Sequence, residues 1–365
     1  MPELLVGMII GHVIGKKDCT NISHYLSLML DELRKYMPLN NGIPSHDTYS
    51  RLMRLMNQDS VAENIYDWMS LLVPHFDDDH IILDGKASRA SAEKNKEEKP
   101  PYIINVIQGF SKLFLYHSEV GNKENEIVAL PRTIRMLDIR GNVLTIDAIG
   151  TQKSIMRLIR KKDGDFVFAV KGNQENLEAE VSDWINTATE GNEECVQKYS
   201  KSEKNGGRLE KRTYYFIKTN ECINDPEIRS MVKGIGKVER HIEQDILDSD
   251  GNVIRTEIME QTVYYVTSKG MDVRAFAGFV RRHWAIESAH WVYDYLFQED
   301  RSRARKGNAR MNTSIMRKVA YNILLFEKKK KPPGISLEYV QDELRFDLAA
   351  VFKYFFSSTE EISAG

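Results

Sequence analysis

The sequence predicts an α/β fold: a mixed sheet flanked by helices, with an α-helical N-terminal domain before it and a β-rich insertion within it. Three observations carry this. Up to about residue 75 apolar residues recur at helical spacing, as in Tyr49, Leu52, Met53 and Met56. Short β-branched runs follow, and then helix-like and strand-like segments in alternation. Residues 205–268 alternate apolar and polar positions with strand periodicity.

Taken in order, "ELLVGMIIGHVIGKK" reads as a buried helix, because His12 interrupts it and it is shorter than the ~20 apolar residues that a membrane span needs. It has neither the basic start nor the small-residue cleavage site of a signal peptide. In "NGIPSHDTYSRLMRLMN" Pro44 breaks the chain and Ser45 or Asp47 caps the next helix, whose Arg51 and Arg54 form a solvated face. "HIILDGK", "PYIINVIQG" and "KLFLYHSEVG" are strands, and the charged "ASAEKNKEEKPP" between the first two is a loop. "NEIVALPRTIRMLD" is a helix with a proline inside, "GNVLTIDAIGTQ" a strand, "KSIMRLIRKKDG" a helix and "DFVFAVKGNQ" a strand. "RLEKRTYYFIK", "KVERHIEQDIL" and "IRTEIMEQTVYYVTS" complete the strand set, the last two joined by a hairpin at "DSDGN". Helices resume near Asp272. These segments divide the chain into 1–75, 76–204, 205–268, 269–330 and a helical tail at 331–365.

Composition narrows the function classes. The 365 residues carry 51 Lys+Arg against 53 Asp+Glu, a net charge of -2, so an anionic partner must be met by local basic patches. Cys19, Cys195 and Cys222 are scattered without C-x-x-C spacing, which argues against a disulfide framework or a structural zinc and fits a reducing cytoplasm. "GIGKVE" is a lone G-x-G, and no P-loop or dinucleotide fingerprint competes.

Two aspartates stand out. Asp84 follows "IIL" and Asp147 follows "LTI", each where an apolar, strand-like run reaches its end. A carboxylate there needs a cation or strong donors. One such residue is usually a turn or cap; two on neighbouring strands make a site for a hard divalent metal. Glu287, in "RRHWAIESAHW", is the third acid. As one helix, His283, Glu287, His290 and Asp294 share a face, and Trp284, Trp291 and Tyr295 form an adjoining face that packs on the sheet. Taken alone, Glu287 reads first as the acid of an ordinary amphipathic helix, paired with Arg282 or a histidine. Asp300 is its rival.

A family resemblance weighs these alternatives differently. "IPSHDTYSRLM", "ILDGKASR", "HSEVGNKENEI", "LTIDAIGTQ", "FVFAVKGNQENL", "GRLEKRTYYF", "YYVTS", "RRHWAIESAHWVYDYLFQED" and "NTSIMRKVAYNILL" occur in this order over nearly the whole chain. Together they resemble the H-repeat-associated (ISAs-one type) insertion-sequence transposases, which have an Asp-Asp-Glu active site. The resemblance implies an RNase-H-like core with catalytic, metal-binding Asp84, Asp147 and Glu287. It implies two Mg²⁺ ions, replaceable by Mn²⁺, and metal-dependent strand cleavage and strand transfer of an insertion sequence. Of the Tyr, Arg, Glu, Lys pattern of the wider group only Glu287 is kept, with Val280, His283 and Asp294 at the other places. Gly206 stands where relatives have a histidine, and they begin earlier, with a basic stretch, so the resemblance implies a shortened N-terminal DNA-binding domain.

The expected partner is double-stranded DNA, both terminal inverted repeats and target, with at least a homodimer when two ends are synapsed. The expected location is the bacterial cytoplasm, at the nucleoid, with no membrane. Expected DNA contacts are Lys86, Lys171, Asn173, Arg281, Arg282, His283, Arg301, Arg303, Arg305 and Lys306, with Arg310 in the same basic run. The alternative functions are a catalytically silent DNA-binding relative and a nuclease that cuts without joining.

Overall fold

The computed structural model describes residues 1–72, 79–87, 102–120, 126–147, 150–205, 208–248, 253–302, 304 and 306–356. In chain order the N-terminal helices are α1 (Pro2–Val13), α2 (Cys19–Leu28), α3 (Leu30–Leu33), α4 (His46–Leu55) and α5 (Gln58–Leu72). Strands β1 (His80–Ala87), β2 (Tyr102–Gln108) and β3 (Phe114–Val120) follow, then α6 (Glu126–Met136), β4 (Val143–Ile146), α7 (Lys153–Lys161) and β5 (Asp165–Val170). Next come α8 (Glu175–Glu190), β6 (Gln197–Asn205), β7 (Arg208–Ile217), α9 (Pro226–Met231), β8 (Gly234–Leu247) and β9 (Val253–Thr267). The chain closes with α10 (Val273–His283), α11 (Ala285–Phe297), α12 (Ala309–Lys329), α13 (Leu337–Leu344) and α14 (Leu348–Phe356).

These elements form two compact units. One, largely helical, comprises Met1–Asp78, Gly85–Asn125 and Ile286–Gly365; the other, built on a sheet, comprises Asp79–Asp84 and Glu126–Ala285. The N-terminal helices and the C-terminal tail, far apart in sequence, thus belong to one unit.

In the sheet unit the strand order is β1-β4-β5-β9-β8-β7-β6. β1, β4 and β5 are parallel to one another, and from β5 onward every pairing is antiparallel. This is the mixed sheet that the strand and helix alternation predicts. The β-rich block appears as β7, β8 and β9, with β8 and β9 paired as far as Leu247 and Val253; residues 249–252 of the expected hairpin turn lie outside the described residues. β6 is not evident from sequence because "QKYSKSEKN" has no apolar alternation. It is an edge strand, held to β7 by its backbone ladder and by Ser200–Thr213 and Arg212–Glu203 side-chain bonds of 3.1 and 2.9 Å. Charged side chains on such an edge discourage pairing with a further chain.

Helix α10 covers this sheet. Asp272 caps it by accepting the N–H of Ala275 at 2.8 Å, and Val273, Phe276, Ala277 and Val280 repeat at helical spacing on its buried side. Phe276, fully buried, sits edge-on to Tyr214 and Tyr265 and beside Phe216. Gly236 on β8 permits this approach, since a Cβ there would run into the Phe276 ring.

In the helical unit α12 is the central element, packed by α1, α4, α5, α13 and β3 and buried over most of its length. Several of its buried polar residues are held by backbone or side-chain partners. Asn312 donates to the carbonyls of Met53 and Met56, and Ser314 donates to Glu299. Asn322 spans both polar groups of Phe114, accepting its N–H at 2.9 Å and donating to its carbonyl at 2.8 Å. Replacing Asn322 by leucine, similar in volume, strands both groups and is expected to cost about 2–4 kcal/mol, read as a lower urea midpoint. An unchanged midpoint would show that water takes over both bonds. As the sequence predicts, α1 is buried from Gly7 to Val13, and the Ser45 side chain caps α4 by accepting the N–H of Thr48.

Candidate active site

Parallel pairing sets side by side the strands that lead to the two aspartates. The register runs through Ile82↔Thr145 to Leu83↔Ile146, the residues immediately before Asp84 and Asp147. Because side chains alternate along a strand, Asp84 falls on the face that carries His80, Ile82 and, on β4, Thr145. That is the face covered by α10, whose Phe279 ring meets His80 edge-on at 5.1 Å and whose His283 reaches Thr145. Asp147 leaves the sheet directly after β4 and is exposed. Asp84 departs from expectation: it is half-buried and lies inside β1, which runs on to Ala87. The next residue must be glycine, for a Cβ on Gly85 would collide with the Tyr102 ring, whose hydroxyl donates to the Gly85 carbonyl at 3.0 Å.

A polar relay that sequence reasoning missed lies behind the aspartates. The Nε–H of Arg282 donates to Nδ1 of His80 at 3.2 Å. That leaves the proton of a neutral His80 on Nε2, which donates to Thr145 Oγ1 at 2.8 Å. The Thr145 hydroxyl then donates to Nδ1 of His283 at 2.9 Å, so His283 carries its proton on Nε2. Both imidazoles are neutral. Burial, then the Arg282 charge, holds His80 well below its usual value, and burial holds His283 down to about 4 although Asp147 opposes the shift. The signal available in sequence was a histidine at the start of a buried strand and a threonine two residues before the second aspartate.

Other expected residues are placed as follows. Lys171 is exposed just past β5, the strand parallel to β4, and opens the short 3₁₀ turn that contains Asn173. It lowers the pKa of His283, which puts it near Asp147 in the same electrostatic neighbourhood. Arg281 is exposed and pairs with Glu203 at 3.2 Å. Arg282 turns inward over the Phe279 ring as well as to His80. Arg301 and Lys306 are exposed, whereas Arg310 pairs with Glu119 on β3. Arg303 and Arg305 lie outside the described residues, as do the side chains of Lys86, Asn173 and Asp300.

The stretch around Glu287 is not one helix. α10 ends at His283 and α11 begins at Ala285, so His283 and Glu287 stand on separate helices. Glu287 is exposed in the first turn of α11, within the helical unit. The aromatic face is also corrected: Trp291 and Tyr295 stack on each other at 5.5 Å and are 66% and 57% exposed rather than packed on a sheet. Ile286, Ala289, Tyr293, Leu296 and Phe297 form the buried stripe instead, and Asn105 on β2 donates to His290 at 3.1 Å. Among the described residues no three His, Cys, Asp or Glu side chains gather closely enough to hold a metal ion.

A family model described as "Transposase DDE domain" matches residues 75–323, and one described as "DDE_Tnp_1-associated" matches residues 1–69. The chain belongs to the DDE transposase family. It is similar to the Escherichia coli K12 protein named "H repeat-associated putative transposase YhhI", at 31% identity over 332 residues, 90% of this chain and 85% of that one. It is similar also to "Putative transposase YncI" of Escherichia coli O157:H7, at 30% identity over 357 residues, 94% and 89% of the two chains. A chain from the cryo-EM structure of a piggyBac transposase synaptic complex with hairpin DNA aligns at TM-score 0.41 and 11% identity, over 96% of this chain and 70% of that one. The H-repeat-associated resemblance is thereby confirmed, and the mixed sheet flanked by helices is the expected α/β class.

DDE transposases generally use divalent metal ions. Carboxylates are the hard oxygen ligands that Mg²⁺ prefers. No helix among the described residues is long and apolar enough to cross a membrane.

The neutral histidines give this transposase a defined acid response. Burial holds His12 down to about 3 and His283 to about 4, and holds His80 and His117 well below 6.5. Below pH ~6.5 the unfolded chain takes up protons that the folded chain refuses, so this stability is complete above 6.5 and is lost as pH falls. Each such group contributes up to about 1.4 kcal/mol per pH unit. The urea midpoint is therefore expected to fall steadily from pH 7 to pH 5, and a flat profile would contradict neutral burial.

Proposed function

We propose that this chain is an active transposase that cleaves DNA strands at the ends of an insertion sequence and joins them to target DNA. The observation that carries the proposal is the parallel register of β1 and β4, which runs to Leu83 and Ile146, the residues immediately before Asp84 and Asp147, in a chain of this family. Asp84 and Asp147, with Glu287 as the third ligand, would hold two Mg²⁺ ions, for which Mn²⁺ can substitute. When bound, such ions polarise the scissile phosphate and stabilise the attacking and leaving oxygens of an in-line displacement.

The chain's own residues do the rest. Arg282, His80, Thr145 and His283 tie α10 to β1 and β4 and keep the two aspartates level; Arg282 and His283 are therefore assigned a positioning role, ahead of the direct phosphate contact expected from sequence. Lys171, Arg301 and Lys306 are exposed cations suited to DNA phosphates, Arg303 and Arg305 belong to the basic run of Arg301 and Lys306, and Lys86 and Asn173 are assigned to DNA contact with them. Arg281 can join them by exchanging Glu203 for phosphate. The partners are the terminal inverted repeats and target DNA in the bacterial cytoplasm, bound by at least two copies of the chain. Residues 1–75 are assigned to DNA binding and 205–268 to the insertion in the catalytic core.

The test is cleavage and joining of DNA that carries the flanking inverted repeats, with and without Mg²⁺, for the wild type and Glu287→Gln. Wild-type activity that needs the metal and falls by two orders of magnitude or more in the variant supports the proposal. Equal activity in both would remove Glu287 as the third ligand. DNA binding without cleavage by the wild type would instead identify a silent, DNA-binding relative, and cleavage without joining a nuclease.

A further inference from the structure

Within the helical unit a cleft of about 610 Å³ opens where the first turns of α2 and α4 meet α12. Arg317 of α12 lines it and is only 4% exposed. One terminal nitrogen donates to the Lys17 carbonyl at 3.0 Å, but its Nε–H is buried with no partner, and among the described residues no carboxylate lies within ion-pair distance of it. Arginine cannot discharge this cost by losing its proton. A buried charge persists where something of opposite charge is supplied.

The surroundings suit an anion. Lys17 and the exposed Arg301 also line the cleft, and it faces the first turns of α2 and α4, the positive ends of two helix dipoles, where the caps take the N–H groups of Asn21 and Thr48. Its carboxylates do not neutralise Arg317. Asp18 is engaged as the cap of α2, accepting from Asn21 at 2.8 and 2.7 Å, and the largely exposed Asp47 pairs with His46 at 3.2 Å. His12, also lining the cleft, donates from Nδ1 to the Lys16 carbonyl at 2.9 Å and is neutral, so its unpartnered Nε2 is an acceptor for a hydroxyl.

The geometry points to a phosphate subsite in this cleft, with Arg317 as its charged donor. The transposase reading, on which the assignment of its source rests, makes a DNA backbone phosphate that source; free inorganic phosphate, whose P–OH would also satisfy His12, is the other source of the same chemistry. Nothing in the Asp84–Asp147 chemistry uses these residues.

The experiment has two arms, both on the full chain. Thermal unfolding is compared in chloride and in inorganic phosphate at equal ionic strength. Phosphate is expected to raise the wild-type Tm by about 2 °C or more, to leave Arg317→Met unmoved and to shift Arg301→Ala by less than half as much. No phosphate-specific shift in the wild type, or the same shift in both variants, overturns the subsite. Arg301 is exposed at the rim, so its variant and the wild-type titration decide the matter even where Arg317→Met fails to fold.

In the second arm, anisotropy of a labelled inverted-repeat duplex is followed against salt. Each variant is expected to bind ~10-fold more weakly, with a log–log salt slope shallower by ~1, the signature of one lost phosphate contact. A phosphate shift with undiminished duplex affinity overturns DNA as the source and assigns the cleft to free phosphate. A wild type that binds no duplex but retains the phosphate shift refutes the DNA reading of the whole chain and leaves the subsite standing.

Discussion

Asp147→Asn is expected to lower Mg²⁺-dependent cleavage of inverted-repeat DNA by about 10³-fold or more while leaving the fold intact. The substitution keeps size and hydrogen-bonding capacity but removes the negative charge that would hold a metal. Losing the several kcal/mol of transition-state stabilisation that a bound metal supplies, about 4 kcal/mol, corresponds to about three decades in rate. The fold should tolerate it because Asp147 is exposed beyond the end of β4, where substitutions usually shift stability by no more than about 0.5 kcal/mol. His283 remains neutral as well: Asp147 is the group that raises its pKa, so losing that charge favours the neutral imidazole further and preserves the Thr145 relay. Single-turnover cleavage and the Tm measured side by side make the check. A variant that keeps a third of wild-type activity would place the chemistry elsewhere, and one that loses Tm along with activity would assign Asp147 a structural role.

Phe276→Ala is expected to be the most damaging single truncation in the sheet unit, at about 3–5 kcal/mol. Its ring is fully buried and contacts Tyr214 and Phe216 of β7 and Tyr265 of β9, so no one neighbour can swing in to fill the space. Aromatic pairs of this kind add about 0.5–1.5 kcal/mol each beyond area burial. Phe276→Leu retains most of the volume and should cost less than half as much. Chemical denaturation gives the two midpoints, and a loss below about 1 kcal/mol for the alanine variant would mean that α10 is not held down by this ring. The consequence reaches the candidate site, because α10 also carries Arg282 and His283 to His80 and Thr145.

Much of this was legible in the sequence. Asp84 and Asp147 could be singled out because each follows an apolar run, and the parallel pairing of β1 with β4 then sets side by side the strands that lead to them. The strands β7 to β9 were legible because alternation survives even where they are solvent-exposed. β6 was not, since an edge strand of polar residues is specified by its ladder to β7 rather than by its own pattern. The helix around Glu287 misled for the opposite reason. Its spacing is a continuous helical period, but period alone contains no information about the break at Trp284, or about which of two apolar stripes is buried. Trp291 and Tyr295 look like the obvious anchors, yet the narrower set of Ile286, Ala289, Tyr293 and Leu296 is buried.

By itself, the sequence determined the element types, the α/β class, the family and the acids worth testing, because periodicity, caps and ordered motifs are local properties of the chain. Only the tertiary structure decided that residues near both termini share one unit around α12, that His80 and Thr145 stand behind the aspartates, and that Arg317 is buried against a cleft with no counter-charge among the described residues. Those facts depend on which distant side chains meet. A hydrogen-bond partner or a missing counter-charge is a property of the assembled neighbourhood, and no spacing along the chain encodes it.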